Sequence, residues 1–200
     1  DALLMAAPTP DTAHQGLPFR LPQRPLITRI RQVDPQALRA PKAARLQPMA
    51  GFDEGYADIV DYIVRITEEI WVDRAIGRIY ETYDHACTIY SPYGVVRSVE
   101  EVIASTVSTL NAFPDGELHH LNVAWSGDES EGFFTSHLGF SRSTNRGAST
   151  WGPATGRPIA VHFVADCVSR GNLIHTEWLV RDNGAVVRQL GLDAHEVARK

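Results

Sequence analysis

An α+β fold is what this sequence predicts, on three observations. Apolar residues recur at three- and four-residue spacing between residues 53 and 110, whereas the chain after Gly116 reads as strands punctuated by turn signals. Two tight turns near the C-terminus, Arg170-Gly171 and Asn183-Gly184, read as hairpins that share a strand, since Gly and Asn tolerate the positive φ such turns need. Helices followed by a long antiparallel sheet is the α+β order. A sheet that curls around its helices makes a cone with an interior pocket.

Residues 1–50 are rich in proline and hold seven basic side chains (Arg20, Arg24, Arg29, Arg31, Arg39, Lys42, Arg45) against three acidic ones, net +4. Residues 51–200 hold 12 basic and 21 acidic, net −9. The division expected is an N-terminal arm, residues 1–50, that either lies on its own domain or a partner subunit or moves freely, and one domain, residues 51–200. A total charge of −5 argues against a nucleic-acid partner, and no run approaches the roughly 18 apolar residues of a membrane span. The composition, 44% hydrophobic and 22% charged, is that of a globular protein. Cys87 and Cys167 are the only cysteines, each in a strand-like apolar setting. They read as reduced, buried thiols, which makes a cytoplasmic location the expectation.

A helix is predicted over residues 53–83 with a break near Asp73, because Ile59, Ile63, Ile66 and Ile70, then Ile76, Ile79, Tyr80 and Tyr83, share a face. Residues 87–90 read as a strand ended by the turn Ser91-Pro92-Tyr93-Gly94, with residues 95–97 pairing back. Ser98 followed by Glu101 has the spacing of a capping box, and the helix it opens runs through Leu110 to a stop at Pro114 and Gly116. Five antiparallel strands are then expected: residues 118–125, a turn at Ser126-Gly127-Asp128, residues 132–142, and the three strands of the two hairpins. A polar loop, residues 143–156, lies between the second and third.

With Arg170-Gly171 as a two-residue loop, Cys167 faces Ile174, Asp166 faces His175 and Val164 faces Glu177. Side chains alternate faces, so His162, Asp166, His175 and Glu177 fall on one side, read as the concave one. Ile159, Val161, Phe163, Ala165, Cys167, Ile174, Trp178 and Val180 fall on the other, an apolar stripe expected to be covered by a second subunit or by helices. A carboxylate in an apolar cavity has its pKa raised toward working pH, and an imidazole opposite supplies a second acid or an orienting partner. Asp166, His175, Glu177 and His162 are therefore the candidate catalytic residues. Tyr83 and Tyr90 are candidate hydroxyl donors to the pocket, with His137, and Trp151 sits in a loop long enough for a lid. His119-His120 places one imidazole on each face. No zinc-ligand spacing, phosphate-cradling glycine loop or nucleophile elbow is present, so neither metal nor cofactor is expected and covalent catalysis is disfavoured.

Several tracts resemble the SnoaL-like branch, the polyketide cyclase and ester cyclase group, of the nuclear transport factor 2-like superfamily. They are Ile79-Tyr80-Glu81-Thr82-Tyr83, the Ser91-Pro92-Tyr93-Gly94 turn, Asn111-Ala112-Phe113-Pro114-Asp115, Gly127-Asp128, Gly152-Pro153-Ala154-Thr155-Gly156-Arg157 and Ala165-Asp166-Cys167, spread over residues 56–192. The resemblance implies a curved sheet around three helices, a hydrophobic pocket and a dimer through the outer face of the sheet. It also implies a general acid/base aspartate on the late long strand ahead of a hairpin glycine and a tryptophan-ended return strand. Asp166, Gly171 and Trp178 fill that pattern, and Glu177, seven residues before Gly184, is a rival match.

The function expected is cofactor-independent proton transfer on a small or medium apolar carbonyl compound: cyclisation, isomerisation or dehydration. A non-catalytic dimeric protein that binds a hydrophobic small molecule is the alternative. An epoxide hydrolase of the same fold ranks lower, because its Asp-Arg-Asp relay needs an arginine between the carboxylates and Arg170 and Arg181 are read at turns.

Overall fold

The computed structural model describes residues 35–42 and 44–199. Most of the basic, proline-rich segment lies outside the described residues. Its last part packs on the body: helix α1 (Pro35–Arg39) buries Leu38 against Val64 and Val123. Lys42 pairs with Asp58 at 2.7 Å, and the Arg45 guanidinium donates to the carbonyls of Met49 and Asp53.

Helix α2 (Ile59–Trp71) starts at a reciprocal cap: Asp58 accepts from the backbone N–H of Asp61 (2.8 Å), and the buried Asp61 carboxylate accepts from that of Ala57 (2.9 Å). The predicted break is present, with Arg74 at φ +60°, and a short helix α3 (Arg78–Thr82) follows. Strand β1 (Tyr83–Ser91) turns through residues 92–93 into β2 (Gly94–Val96), as the sequence predicts. Helix α4 (Val99–Ala112) opens at Ser98, whose hydroxyl accepts from Glu101 N–H at 3.3 Å, while the Glu101 carboxylate reaches one residue past the cap to Arg97 N–H at 2.7 Å. Ser98→Ala is expected to cost about 1 kcal/mol, read as a lower urea midpoint with an unchanged m-value.

Four strands follow: β3 (Glu117–Asp128), β4 (Gly132–Thr144), β5 (Pro158–Arg170) and β6 (Leu173–Arg181). They form a six-stranded sheet with β1 and β2 in the order β2-β1-β6-β5-β4-β3. The β3–β4 turn falls at residues 129–131, later than the predicted Ser126-Gly127-Asp128, which continues the strand. All pairs are antiparallel except β1 with β6, which makes the sheet mixed. The expected second hairpin is absent. Asp182 accepts from Ala185 N–H at 2.8 Å and so caps a helix, α5 (Asn183–Gln189), which buries Val186 and Val187; a helix cap outcompetes the Asn-Gly turn here. Helix α6 (Ala194–Ala198) ends the fold.

The sheet curls around α2, α3 and α4 without closing. One core cluster joins Phe52, Tyr56, Ile59, Tyr62, Ile63 and Ile66 to Phe133, Cys167 and Ile174 on the sheet, and a second joins Ile70 and Ile79 to Cys87, Ile89, Val99 and Val102. The buried Tyr62 hydroxyl donates to the Asn172 carbonyl at 2.8 Å, tying α2 to the β5–β6 turn.

Candidate functional site

The β5–β6 turn decides what the cone contains. Its two loop residues are Gly171 and Asn172, not Arg170 and Gly171: Arg170 pairs with Leu173, and Gly171 takes φ +56° as the first turn residue. A β-bulge follows, since Ser169 pairs with Ile174 but Val168 with Thr176, leaving His175 as an extra residue. Beyond it Cys167 pairs with Glu177 and Asp166 with Trp178. The expected cross-strand pair of Asp166 and His175 does not form.

The face of β5 read as outer is the inner one: Ile159, Val161, Phe163, Ala165 and Cys167, with Ile174, line the interior, and the bulge brings Glu177, Leu179 and Arg181 of β6 to the same side. Trp178 and Val180 point the other way, with Trp178 stacked on Tyr90 at 5.7 Å and Val180 exposed. Asp166 faces outward with Ser136 and Trp178 as strand partners, and one of its carboxylate oxygens is buried without a hydrogen bond. His162 is exposed beside Phe140 on that outer face. His175 lies at the bulge, 3.5 Å from Asp84. Of the four residues read as catalytic, the cavity takes in Glu177 alone. Of the four read as pocket residues, Tyr83, His137 and Trp151 line it and Tyr90 does not.

The cavity measures about 290 Å³, the lower end of the range for small-molecule sites. Helices α2 and α4 supply Ile63, Ile66, Ile70 and Leu110, and the sheet supplies Ile159, Val161, Phe163 and Leu179. Within this apolar lining the Tyr83 hydroxyl donates to Glu177 Oε2 at 2.8 Å. Burial pushes the Glu177 carboxyl above its ordinary value, against the opposing pull of the Tyr83 hydrogen bond and the Arg181 charge. Burial also pushes the Tyr83 phenol well up, as does the neighbouring carboxylate.

His137, on β4, reaches the cavity two strands away from Glu177, about 10 Å across the sheet at the usual strand spacing. Its Nε2 lies 2.9 Å from Nδ1 of His120, whose Nε2 lies 2.7 Å from the Glu68 carboxylate. A bulge at Leu121 makes this possible by turning both His120 and Val123 inward, and His119 stays outside. An ionised Glu68 accepts from His120 Nε2–H; His120 Nδ1 then accepts from His137 Nε2–H, so His137 keeps an unprotonated Nδ1. Arg39 at 3.2 Å holds the outer end of the chain on Glu68. Burial, with a smaller effect of His120, depresses His137 to about 3, so its ring is neutral near pH 7. Burial likewise lowers His120, opposed by Glu68.

Phe163 sets the His137 ring, meeting it edge-on at 5.6 Å. The phenyl lies across Gly139, where a Cβ would stand 2.1 Å from its Cζ. Gly139→Ala must therefore displace Phe163, with an expected loss of about 1–3 kcal/mol and a shifted His137 imidazole signal by NMR.

The loop between β4 and β5 carries Trp151 to the mouth of the cavity, where it meets Tyr93 and Phe113. The fully buried Asn145 pins this loop: its amide donates to Gly147 O (2.8 Å) and its carbonyl oxygen accepts from Thr155 N–H (2.8 Å). Arg181, read from sequence at a turn, instead ends β6 inside the mouth. Among the described residues no group of three or more His, Cys, Asp or Glu side chains is arranged to hold a metal ion.

No family model matches the chain, and no curated protein matches it. Solved structures do. A candidate SnoaL-like polyketide cyclase from Jannaschia sp. CCS1 superposes with a TM-score of 0.60 at 18% identity, over 67% of this chain and 92% of that one. A candidate polyketide cyclase, IdmH, from Streptomyces antibioticus gives 0.56 at 21% identity, over 66% and 97%. AclR from Streptomyces galilaeus, described as a candidate hydroxylase, gives 0.54 at 18% identity, over 65% and 92%. At these identities the likeness is one of fold: the chain has the SnoaL-like form of the nuclear transport factor 2-like cone. No helix among the described residues is long and apolar enough to cross a membrane.

Proposed function

We propose that this protein is an enzyme that moves a proton beside the carbonyl of a small or medium apolar compound, with Glu177 as the proton carrier. The observation that carries this reading is a carboxyl buried in an apolar cavity, oriented by the Tyr83 hydroxyl and raised in pKa by its surroundings. A carboxylate so placed is a stronger base than one in water. Tyr83 occupies Oε2, which leaves Oε1 for the substrate.

The enolate formed by such a step needs a donor at its oxygen. Among the side chains that line the cavity, the Tyr83 hydroxyl beside Glu177 is placed to give that hydrogen bond. His137, neutral with its pKa held near 3 and with Nδ1 unprotonated, is placed to accept one. The fate of the enolate, attack on a second carbonyl, reprotonation elsewhere or loss of water, separates cyclisation, isomerisation and dehydration; none of them requires a cofactor. The resemblance in fold to candidate polyketide cyclases supports the cyclisation branch.

The test is exchange of the hydrogen next to the carbonyl. Apolar aryl ketones and 1,3-diketones that bind by native mass spectrometry are incubated in D₂O and followed by NMR; enzyme-dependent deuterium uptake is expected. Binding with no uptake across the panel would leave only a ligand-binding protein. In the same reading a second copy of the chain covers the outer face, where Leu138, Tyr90 and Val180 are exposed. Val180→Asp is then expected to shift the light-scattering mass from two subunits to one, and an unchanged mass would sink the dimer.

A further inference from the structure

We infer that the ligand of this cavity carries a carboxylate, and that Arg181 at the mouth is the residue that selects it. This rests on the reading of the cavity as a substrate site and names the substrate class: an apolar carbonyl compound with an acidic end. Glu177, Leu179 and Arg181 occupy alternate positions of β6 and all line the cavity. The backbone positions of the carboxyl and the guanidinium are thus about 13 Å apart along one strand.

What sets Arg181 apart is its place. Among the described residues it is the one arginine or lysine that lines the cavity, and no carboxylate lies in ion-pair contact with it. Its guanidinium lies over the Trp71 ring at 5.8 Å, and its charge opposes the burial that raises the Tyr93 phenol. The Tyr93 hydroxyl itself donates to the Asn183 side-chain oxygen at 3.2 Å. A guanidinium has five N–H donors to satisfy. A guanidinium at the rim of an apolar chamber, held by an aromatic face and left with free donors, is suited to the paired oxygens of a carboxylate.

The geometry also orients the substrate. A carboxylate on Arg181 keeps the acidic end at the mouth, away from Glu177, and directs the apolar body inward between α2 and β5. The carbonyl then enters the space between Glu177 and His137. A ligand bound in reverse would set a carboxylate against a carboxyl that burial already disfavours in its charged form.

The experiment reads binding and needs no turnover. Fluorescence titration compares 2-naphthoate with its neutral methyl ester on the full chain, its Arg181→Gln variant and its Arg181→Lys variant, with circular dichroism to establish that each is folded. The parent is expected to prefer naphthoate by about tenfold or more, as charge-assisted pairing implies. Arg181→Gln should lose that preference with ester affinity unchanged, and Arg181→Lys should keep part of it. Equal affinity for acid and ester in the parent, a preference that survives Arg181→Gln, or no binding of either probe would overturn the inference. A proton-transfer reading that failed in the exchange test would leave this result standing, because selection at the mouth does not depend on chemistry at Glu177.

Discussion

Exchange of Glu177 for glutamine is expected to lower turnover by about 10²- to 10⁴-fold, the range for loss of a general acid or base. Glutamine keeps an oxygen for the Tyr83 hydroxyl, so the cavity wall is preserved and only proton transfer is removed. Folding should hold or improve. A carboxyl raised by burial stabilises the fold below its unfolded pKa and loses that contribution as pH rises through the folded value, so at neutral pH the neutral amide avoids the cost of a buried charge. Asp166→Asn is the control on the outer face and should leave turnover near that of the parent. The measurement is kcat on a substrate found by the exchange screen, beside thermal unfolding; undiminished kcat in Glu177→Gln would remove Glu177 from the mechanism. In the parent, kcat/KM should rise with pH through a value above that of an ordinary glutamate.

Acidification should unfold the protein from the other side of the cavity. His137 is depressed to about 3 against 6.5 for a free imidazole. The stability it contributes is full above 6.5 and is lost as pH falls from 6.5 through about 3. The slope is up to about 1.4 kcal/mol per pH unit for one proton. His120, depressed in the same direction, adds to the loss. Urea unfolding at pH 7, 6 and 5 should therefore show falling midpoints, and His137→Leu should flatten the trend even if it lowers stability throughout. An equal pH dependence in parent and variant would mean that His137 is protonated in the native state.

Local chemistry made most of the fold legible in sequence. Isoleucine spacing marks α2, Ser98 and Glu101 mark the start of α4, and the Ser91-Pro92-Tyr93-Gly94 turn marks the β1–β2 hairpin. Tyr83, at the junction of helix and strand, His137 and the loop residue Trp151 all line the cavity. The failures differ in cause. Asp166 and His162 lie opposite the apolar residues of β5, as alternation predicts, but which face is concave depends on the helices, and it is the apolar face that lines the cavity. The faces of His175 and Glu177 are read through one turn, and a bulge undoes every assignment beyond it. Asn183-Gly184 misled for a different reason: the capping aspartate before it and the apolar residues after it, Val186 and Val187, favour a helix that buries them. The His120–His137–Glu68 chain left no mark a reader of sequence could find, since it joins a helix to two strands through a second bulge. The apolar alternation over residues 159–167 marks a face that must be covered, and α2 and α4 cover it from inside the cone.

Parity is the property that the bulge at His175 controls. Strand side chains fall into two classes, odd and even, and a regular ladder never exchanges them. Here a single supernumerary residue moves the whole C-terminal half of β6 into the opposite class, so Glu177, Leu179 and Arg181 share the interior with Ile174, three positions before the glutamate. Excision of His175 would leave these faces as they are, since Ile174, Thr176 and Glu177 already pair with Ser169, Val168 and Cys167. Absorbing His175 into the ladder opposite Val168 would instead send the acid and the guanidinium to the outside together and bring Trp178 and Val180 into the chamber, turning the strand inside out with no change in any of those four side chains.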